Sequence, residues 1–385
     1  MTIYFDNAAT TPLDPSINEY IFELNQKIFA NPSSLHASGR KASRLLKEAR
    51  QIVANHIDAK NENIIFTSGA SEANNFIAKA AHFDLIITTP FEHSCMLEAI
   101  KSTNIKTIWL DLSQEGFVNL AQIEELLKEH NSKTILLSIM HGNNEIGTIQ
   151  DLEKISSICK KYPKVFFHSD CVQTFIKHDF KASLLDSASF ASHKIHGPKG
   201  LGFLYLSDKF KNHLALSDKI PIVGGNQEFA LRAGTENLIS VLALARLIET
   251  QKIDKKKIFE LTKKLYDGLK SEAILNGPEL ISETSRVLGN LNLSFINCNL
   301  NSEAMVLQCD LAGLEISSGS ACSSGKLSNE PASIMSSFVL RACRIDESRA
   351  KKAIRISLSK QNTDKEIEDS IKIIKQILAR NCKAS

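Results

Sequence analysis

The strongest constraint on this sequence is a change of rhythm near residue 63. From there to residue 206, short β-rich runs alternate with helical segments: Ile64–Thr67, Leu85–Thr88, Thr107–Leu110, Thr134–Ile139, Val165–His168, Ala188–Ser192 and Gly202–Leu206. Runs that are apolar throughout, rather than at every second residue, predict strands buried on both faces. Most of the intervening segments are long enough for a crossover helix, so the prediction is an α/β domain with a seven-stranded, mostly parallel sheet. The connection from Lys194 to Leu201 is short. It predicts a last strand that is antiparallel to its predecessor in sequence or placed across the sheet.

The flanks complete the picture. Residues 2–12 read as extended, and two helical patterns follow, the second with 3.6-residue spacing through Leu45, Ala49, Ile52, Val53 and His56. Past about residue 250 comes a long helical stretch, Ile253 to Leu269. Three further strand candidates lie around Leu291–Phe295, Glu315–Ser317 and Ala353–Leu358, before a final amphipathic helix through Ile367, Ile371, Ile374 and Leu378. These segments predict a smaller C-terminal α/β domain, as expected for 385 residues. The division expected is residues 14–254 for the large domain, with 1–13 and 255–385 forming the small one.

Composition excludes several classes. A net charge of +3 over this length gives no reason to expect nucleic acid. No apolar run approaches the roughly 20 residues that span a bilayer, and the start of the chain has neither a basic nor an apolar leader segment. The eight cysteines form no CxxC pair, which argues against a zinc or cluster site. They read as reduced thiols of a cytoplasmic protein, mostly core filler, with one exception below.

Ligands of parallel α/β sheets bind beyond the carboxyl ends of the strands, and this chain loads those ends with chemistry. The first strand runs into Ser68-Gly69-Ala70-Ser71, a small-residue turn opening a helix and suited to a phosphate. The second is followed by Glu92-His93, the fourth by His141-Gly142-Asn143-Asn144-Glu145, the fifth by Asp170-Cys171-Val172-Gln173 and the sixth by His193-Lys194. A lysine at a rigid strand end can form a Schiff base with an aldehyde if its surroundings lower its pKa. An acid some two dozen residues earlier is what pyridoxal phosphate requires, because a carboxylate keeps the ring nitrogen protonated and the ring an electron sink. A charged partner within ~4–6 Å shifts such a pKa by about 1–3 units, enough to hold a pyridinium at neutral pH.

Six motifs stand in order: Asp6-Asn7-Ala8-Ala9-Thr10-Thr11, Asn31-Pro32-Ser33-Ser34, Thr67-Ser68-Gly69-Ala70-Ser71-Glu72, His141 to Gly147, His193 to Gly200, and Ser317-Ser318-Gly319-Ser320-Ala321-Cys322. Together they resemble the NifS/IscS-type cysteine desulfurases of the class V aminotransferase group, from residue 3 to about 375. The resemblance implies the pyridoxal-phosphate-dependent transferase fold of type I. It implies that Lys194 bonds the cofactor, Asp170 pairs with the pyridine nitrogen, and Gln173 hydrogen-bonds the phenolic oxygen near Asn144. His93 would stack on the ring and act as acid and base. Ala70, Ser71, Ser192 and His193 would hold the phosphate, helped by Thr235 of a second subunit, which implies a homodimer. Arg355 would bind the substrate carboxylate, for which a guanidinium fork is well shaped. Cys322 would take the sulfur of L-cysteine as a persulfide, leaving L-alanine.

Departures from the family pattern are equally specific. Ala191 stands where relatives commonly have serine, leaving Ser192 as the neighbouring hydroxyl. The segment after Cys322 is longer than usual, and the sequence ends at Ser385 without the tail by which some relatives grip a cluster scaffold protein. Sulfur would go to an acceptor protein, for iron–sulfur cluster assembly or another thiolation. The competing expectations are a class V transaminase or selenocysteine lyase, which need no essential thiol, and a non-catalytic cofactor-binding partner or regulator, which would require loss of Lys194 or Arg355, both present here.

Overall fold

The computed structural model describes residues 2–214, 220–318 and 337–381. Within these residues the strands are β1 (Ile3–Tyr4), β2 (Ile64–Thr67), β3 (Leu85–Thr88), β4 (Thr107–Trp109), β5 (Ile135–Ser138), β6 (Val165–Asp170), β7 (Ser187–Ala191), β8 (Gly202–Leu206), β9 (Ile274–Leu275), β10 (Asn290–Ser294), β11 (Leu314–Glu315) and β12 (Ala353–Ser357). Strands β2 to β8 form one seven-stranded sheet in the order β2-β8-β7-β6-β5-β3-β4. All neighbours run parallel except β8, which is antiparallel to both β2 and β7. The short Lys194–Leu201 connection therefore reverses the chain, as its length predicts.

Side chains along a strand point alternately to opposite faces, and here both faces are apolar. Ile64, Phe66, Leu85, Ile87, Leu137 and Phe167 belong to one core cluster. Their neighbours Ile65, Ile86, Leu136 and Phe166 belong to another, packed with the helix Ala70–Ala80. The helix Ala37–His56 and the helix Leu238–Thr250 contribute Leu46, Val53, Val241 and Leu244 to the first cluster.

A separate core gathers Leu291, Leu293, Ile354 and Ile356 from the antiparallel sheet β12-β10-β9 with Leu261, Leu265, Ile367 and Ile374 from two helices. The N-terminal strand joins this core: β1 pairs with β11, and Phe5 is fully buried in it. The predicted Glu315–Ser317 strand thus lies in a two-stranded ribbon that meets the three-stranded sheet through the Ser317–Arg355 and Asp6–Ser357 bridges. Among the described residues no helix is long and apolar enough to cross a membrane.

One segment is held in an unusual backbone. Glu228, Phe229 and Ala230 have φ of 46°, 58° and 61°, three consecutive non-glycine residues in the left-handed region. A buried ion pair fixes them: the Arg50 guanidinium donates to both Glu228 oxygens at 2.5 and 2.6 Å, and the backbone N–H of Phe66 donates to the same carboxylate at 2.8 Å. The guanidinium also lies 4.7 Å from the Phe66 ring centre and 5.2 Å from that of Phe229. This anchor immediately precedes Arg232-Ala233-Gly234-Thr235.

Candidate active site

A cleft of ≈ 540 Å³ opens at the carboxyl ends of the parallel strands, where an α/β sheet is expected to bind ligands. Its wall includes Ala70, Ser71, His93, Asn144, Asp170, Gln173, Ala191, His193, Lys194 and Arg355, residues spread over almost 300 positions of the chain. Ser192 is not on that wall. Its hydroxyl packs where a Cβ on Gly197 would fall 2.0 Å away, and it has no hydrogen-bond partner among the described residues. Thr235 is exposed and also absent from the wall. Cys322 lies outside the described residues.

Each side chain has a local cause for its place. Gly69 adopts φ +156° at the N-terminus of the helix Ala70–Ala80, a backbone that L-residues avoid, and a Cβ there would project into open space. Among the described residues no side chain caps this helix end, so its first N–H groups and its dipole face the cleft. Glu72 draws Ser68 N–H to 2.8 Å and is itself paired with Arg232 at 3.0 Å, tying the turn to the segment that follows the Arg50 anchor. Although burial opposes it, this pairing keeps the Glu72 carboxyl below the usual range.

Asp170 ends β6 with its carboxylate held by Val172 N–H at 3.0 Å and by the Asn74 amide at 2.8 Å. Lys194 directs its ammonium to the carbonyls of Ala8 and Ala9 at 2.7 and 2.6 Å. Gln173 donates to Ala8 O at 3.0 Å. The N-terminal segment therefore forms one side of the cleft, and its Asp6-Asn7-Ala8-Ala9 motif serves as a backbone template.

Opposite stands Arg355 on β12, 2 % exposed, with its guanidinium 2.7 Å from Asp6 and 3.3 Å from the carbonyl of Asn144. Two buried carboxyls flank this region. Burial, and then the charge of Asp170, pushes Glu92 up to about 8. Burial also raises Glu145, whose carboxylate accepts from the Ser337 hydroxyl. Among the histidines, burial lowers His193 to about 4, assisted by Lys194 and Lys199.

Cys95, Met140 and Phe338 line the cleft although no sequence motif singled them out. Cys95 is a second exception to the reading of the cysteines as mostly core filler. Cys159, Cys171, Cys298, Cys309 and Cys343 are buried, whereas Cys95 is half-buried on the wall of the cleft.

The class-V aminotransferase model matches residues 3–369. The chain belongs to the class-V aminotransferase family. Within it, the chain sits with the NifS/IscS-like cysteine desulfurases. It is 35 % identical over 397 residues to cysteine desulfurase IscS of Dictyoglomus turgidum, covering 98 % of this chain and 95 % of that one. It is 37 % identical over 394 residues to cysteine desulfurase IscS of Rickettsia bellii, covering 97 % and 90 %. Among solved structures, a NifS-like protein superposes with a TM-score of 0.84 at 32 % identity, covering 99 % of this chain and all of that one. SspA in complex with cysteine superposes with a TM-score of 0.76 at 30 % identity, over 94 % and 100 %.

Proposed function

We propose that this class-V enzyme is a cysteine desulfurase that converts L-cysteine to L-alanine and passes the sulfur to Cys322 as a persulfide. One observation carries the reading beyond the shared cleft: the described residues on either side of the segment that contains Cys322 lie beside the cleft. On one side Ser317 exchanges two backbone hydrogen bonds with Arg355, at 2.7 and 3.1 Å. On the other, Ser337 bonds Glu145 and Phe338 lines the cleft. Cys322 is four residues beyond Ser318 in the sequence.

Pyridoxal phosphate fits the donor set. The uncapped helix end at Gly69, with Ala70, Ser71 and His193, suits its phosphate. Asp170 would meet the ring nitrogen, Gln173 and Asn144 the phenolic oxygen, His93 the ring face, and Lys194 the aldehyde carbon. When bound, the group supplies an electron sink that acidifies the substrate α-carbon.

The chain's own residues do the rest. Arg355 takes the substrate carboxylate in a fork already oriented by Asp6. His93 moves protons and offers an N–H to an arriving sulfur; an unperturbed thiol is only about 3 % ionised at pH 7, so Cys322 needs that help. In the net transfer, the carbon–sulfur bond of cysteine breaks and a sulfur–sulfur bond to Cys322 forms. Alanine carries away the proton that replaces sulfur.

A homodimer is part of the proposal. Thr235 is off its own cleft, and Phe29 and Leu35 stand 85 % and 88 % exposed, so a second copy would both cover apolar surface and complete the phosphate site. We further take residues 14–254 as the cofactor-binding unit and 1–13 with 255–385 as the unit that carries Arg355 and Cys322. The setting proposed is cytoplasmic, with a sulfur-acceptor protein such as a cluster scaffold as partner. Incubation with L-cysteine and a thiol reductant tests the activity. Equal amounts of alanine and sulfide are expected; a keto acid, or no reaction, would overturn the reading.

A further inference from the structure

Asn74 is fully buried on the helix that opens the phosphate cradle. Its side chain touches three groups of the site. The amide nitrogen lies 2.8 Å from Asp170 Oδ2 and 3.2 Å from Cys95 Sγ, and the amide oxygen lies 3.2 Å from His168 Nε2. Cys95 Sγ in turn lies 3.0 Å from His93 Nδ1.

The chemistry of these groups gives the chain a direction. A carboxylate only accepts, so the Asn74 nitrogen must face Asp170, and the Asn74 oxygen must accept from His168 Nε2–H. His168 Nδ1 then accepts from the Ser187 hydroxyl at 2.9 Å. A neutral ring satisfies both contacts, and burial does pull His168 down to about 3. The second N–H of Asn74 goes to Cys95 Sγ, and the Cys95 S–H can then donate to His93 Nδ1, 3.0 Å away. The backbone N–H of Cys95 approaches the same nitrogen at 3.3 Å, because His93 is also the N-cap of the helix Ser94–Lys101. Two donors converge on Nδ1.

We propose that Cys95, oriented by Asn74, is a positioning residue that ties the His93 imidazole to the Asp170 carboxylate and holds neutral His93 with its proton on Nε2. The ring therefore presents an N–H, not a lone pair, from its other edge, which is the form suited to stabilising a sulfur anion. The inference rests on the roles given to His93 and Asp170 above. Nothing in the spacing of residues 74, 93, 95 and 170 marks Cys95 for such a role; the fold brings them together.

The test uses full-length holoenzyme labelled with 15N-histidine, with His93 assigned by the signal lost in His93→Gln. In the parent and in Cys95→Ser, which keeps a donor, Nδ1 is expected to be the unprotonated nitrogen. In Cys95→Val, which has similar volume and no donor, the His93 signals should shift toward a mixture of tautomers. Turnover of cysteine by Cys95→Val should fall about tenfold with KM within about twofold, and Cys95→Ser should recover to within about threefold of the parent. A parental His93 protonated on Nδ1, or a Cys95→Val enzyme at parental rate, would overturn the proposal. A parent that turns over no cysteine would overturn the desulfurase reading instead, while the tautomer measurement would still decide the hydrogen-bond assignment.

Discussion

Glu92 offers the cleanest test of the electrostatics. It is fully buried beneath the cleft; one oxygen accepts from Met140 N–H at 2.5 Å and from the Thr89 hydroxyl at 3.4 Å. The other oxygen has no hydrogen-bond partner among the described residues. Burial and the neighbouring Asp170 raise its pKa from 4.5 to about 8. Between those values the folded chain holds a proton that the unfolded chain has lost, so this group's contribution falls as pH rises. At about 1.4 kcal/mol per unit, the loss between pH 5.5 and 8 is of the order of 3 kcal/mol. Glu92→Gln keeps the acceptor oxygen and cannot ionise. Urea unfolding of parent and variant, at equal protein concentration and at pH 5.5, 7 and 8.5, isolates the effect as a difference, since other titrating groups cancel. The variant should gain on the parent by about 3 kcal/mol across that range. A difference that stays constant with pH would show that Glu92 is ionised in the fold, and the reasoning would fail.

Three further outcomes follow from the site and its supports. Lys194→Ala should lose all borohydride-fixed pyridoxyl adduct in peptide mass mapping, whereas an adduct on another lysine would relocate the attachment point. Arg355→Gln removes a charge-assisted contact worth about 1.5–3 kcal/mol, so KM for cysteine should rise roughly 10- to 150-fold with a smaller change in kcat; an unchanged KM would take Arg355 out of substrate binding. Arg50→Ala strands the buried Glu228 carboxylate and should cost about 3–5 kcal/mol in urea unfolding, while the double replacement Arg50→Met with Glu228→Met should cost clearly less. Equal losses in the two proteins would mean that the pair is not the anchor of residues 228–230.

Much of the fold was legible because it follows from periodicity. Strands β2, β3 and β8 coincide with the predicted runs, and the others differ by one or two residues at their ends, where pairing partners decide how far a strand continues. The length of one loop left β8 either antiparallel to its predecessor or across the sheet, and it is antiparallel. The order of strands could not be read, because β2 lies beside β8 through contacts that no local pattern encodes. The two-residue strand β9 is too short to carry a periodic signal. At the site, residues at strand ends could be read from chemistry and resemblance together. Ala8 and Ala9 could not be given a role, because they act through their carbonyls and any residue has those. Cys95 was missed for a different reason: its partner Asn74 lies 21 residues away on the helix Ala70–Ala80 and reaches it only in the folded chain.

In the function proposed, sulfur passes through Cys322. The direct measurement is mass spectrometry of the holoenzyme after brief exposure to L-cysteine labelled with 34S, without reductant, alongside Cys322→Ser. The account predicts one added 34S atom on the peptide bearing Cys322. It also predicts a Cys322→Ser enzyme that still binds cofactor and cysteine but releases almost no alanine or sulfide. Parental desulfuration by Cys322→Ser, or label found only on another cysteine such as Cys95, would contradict it.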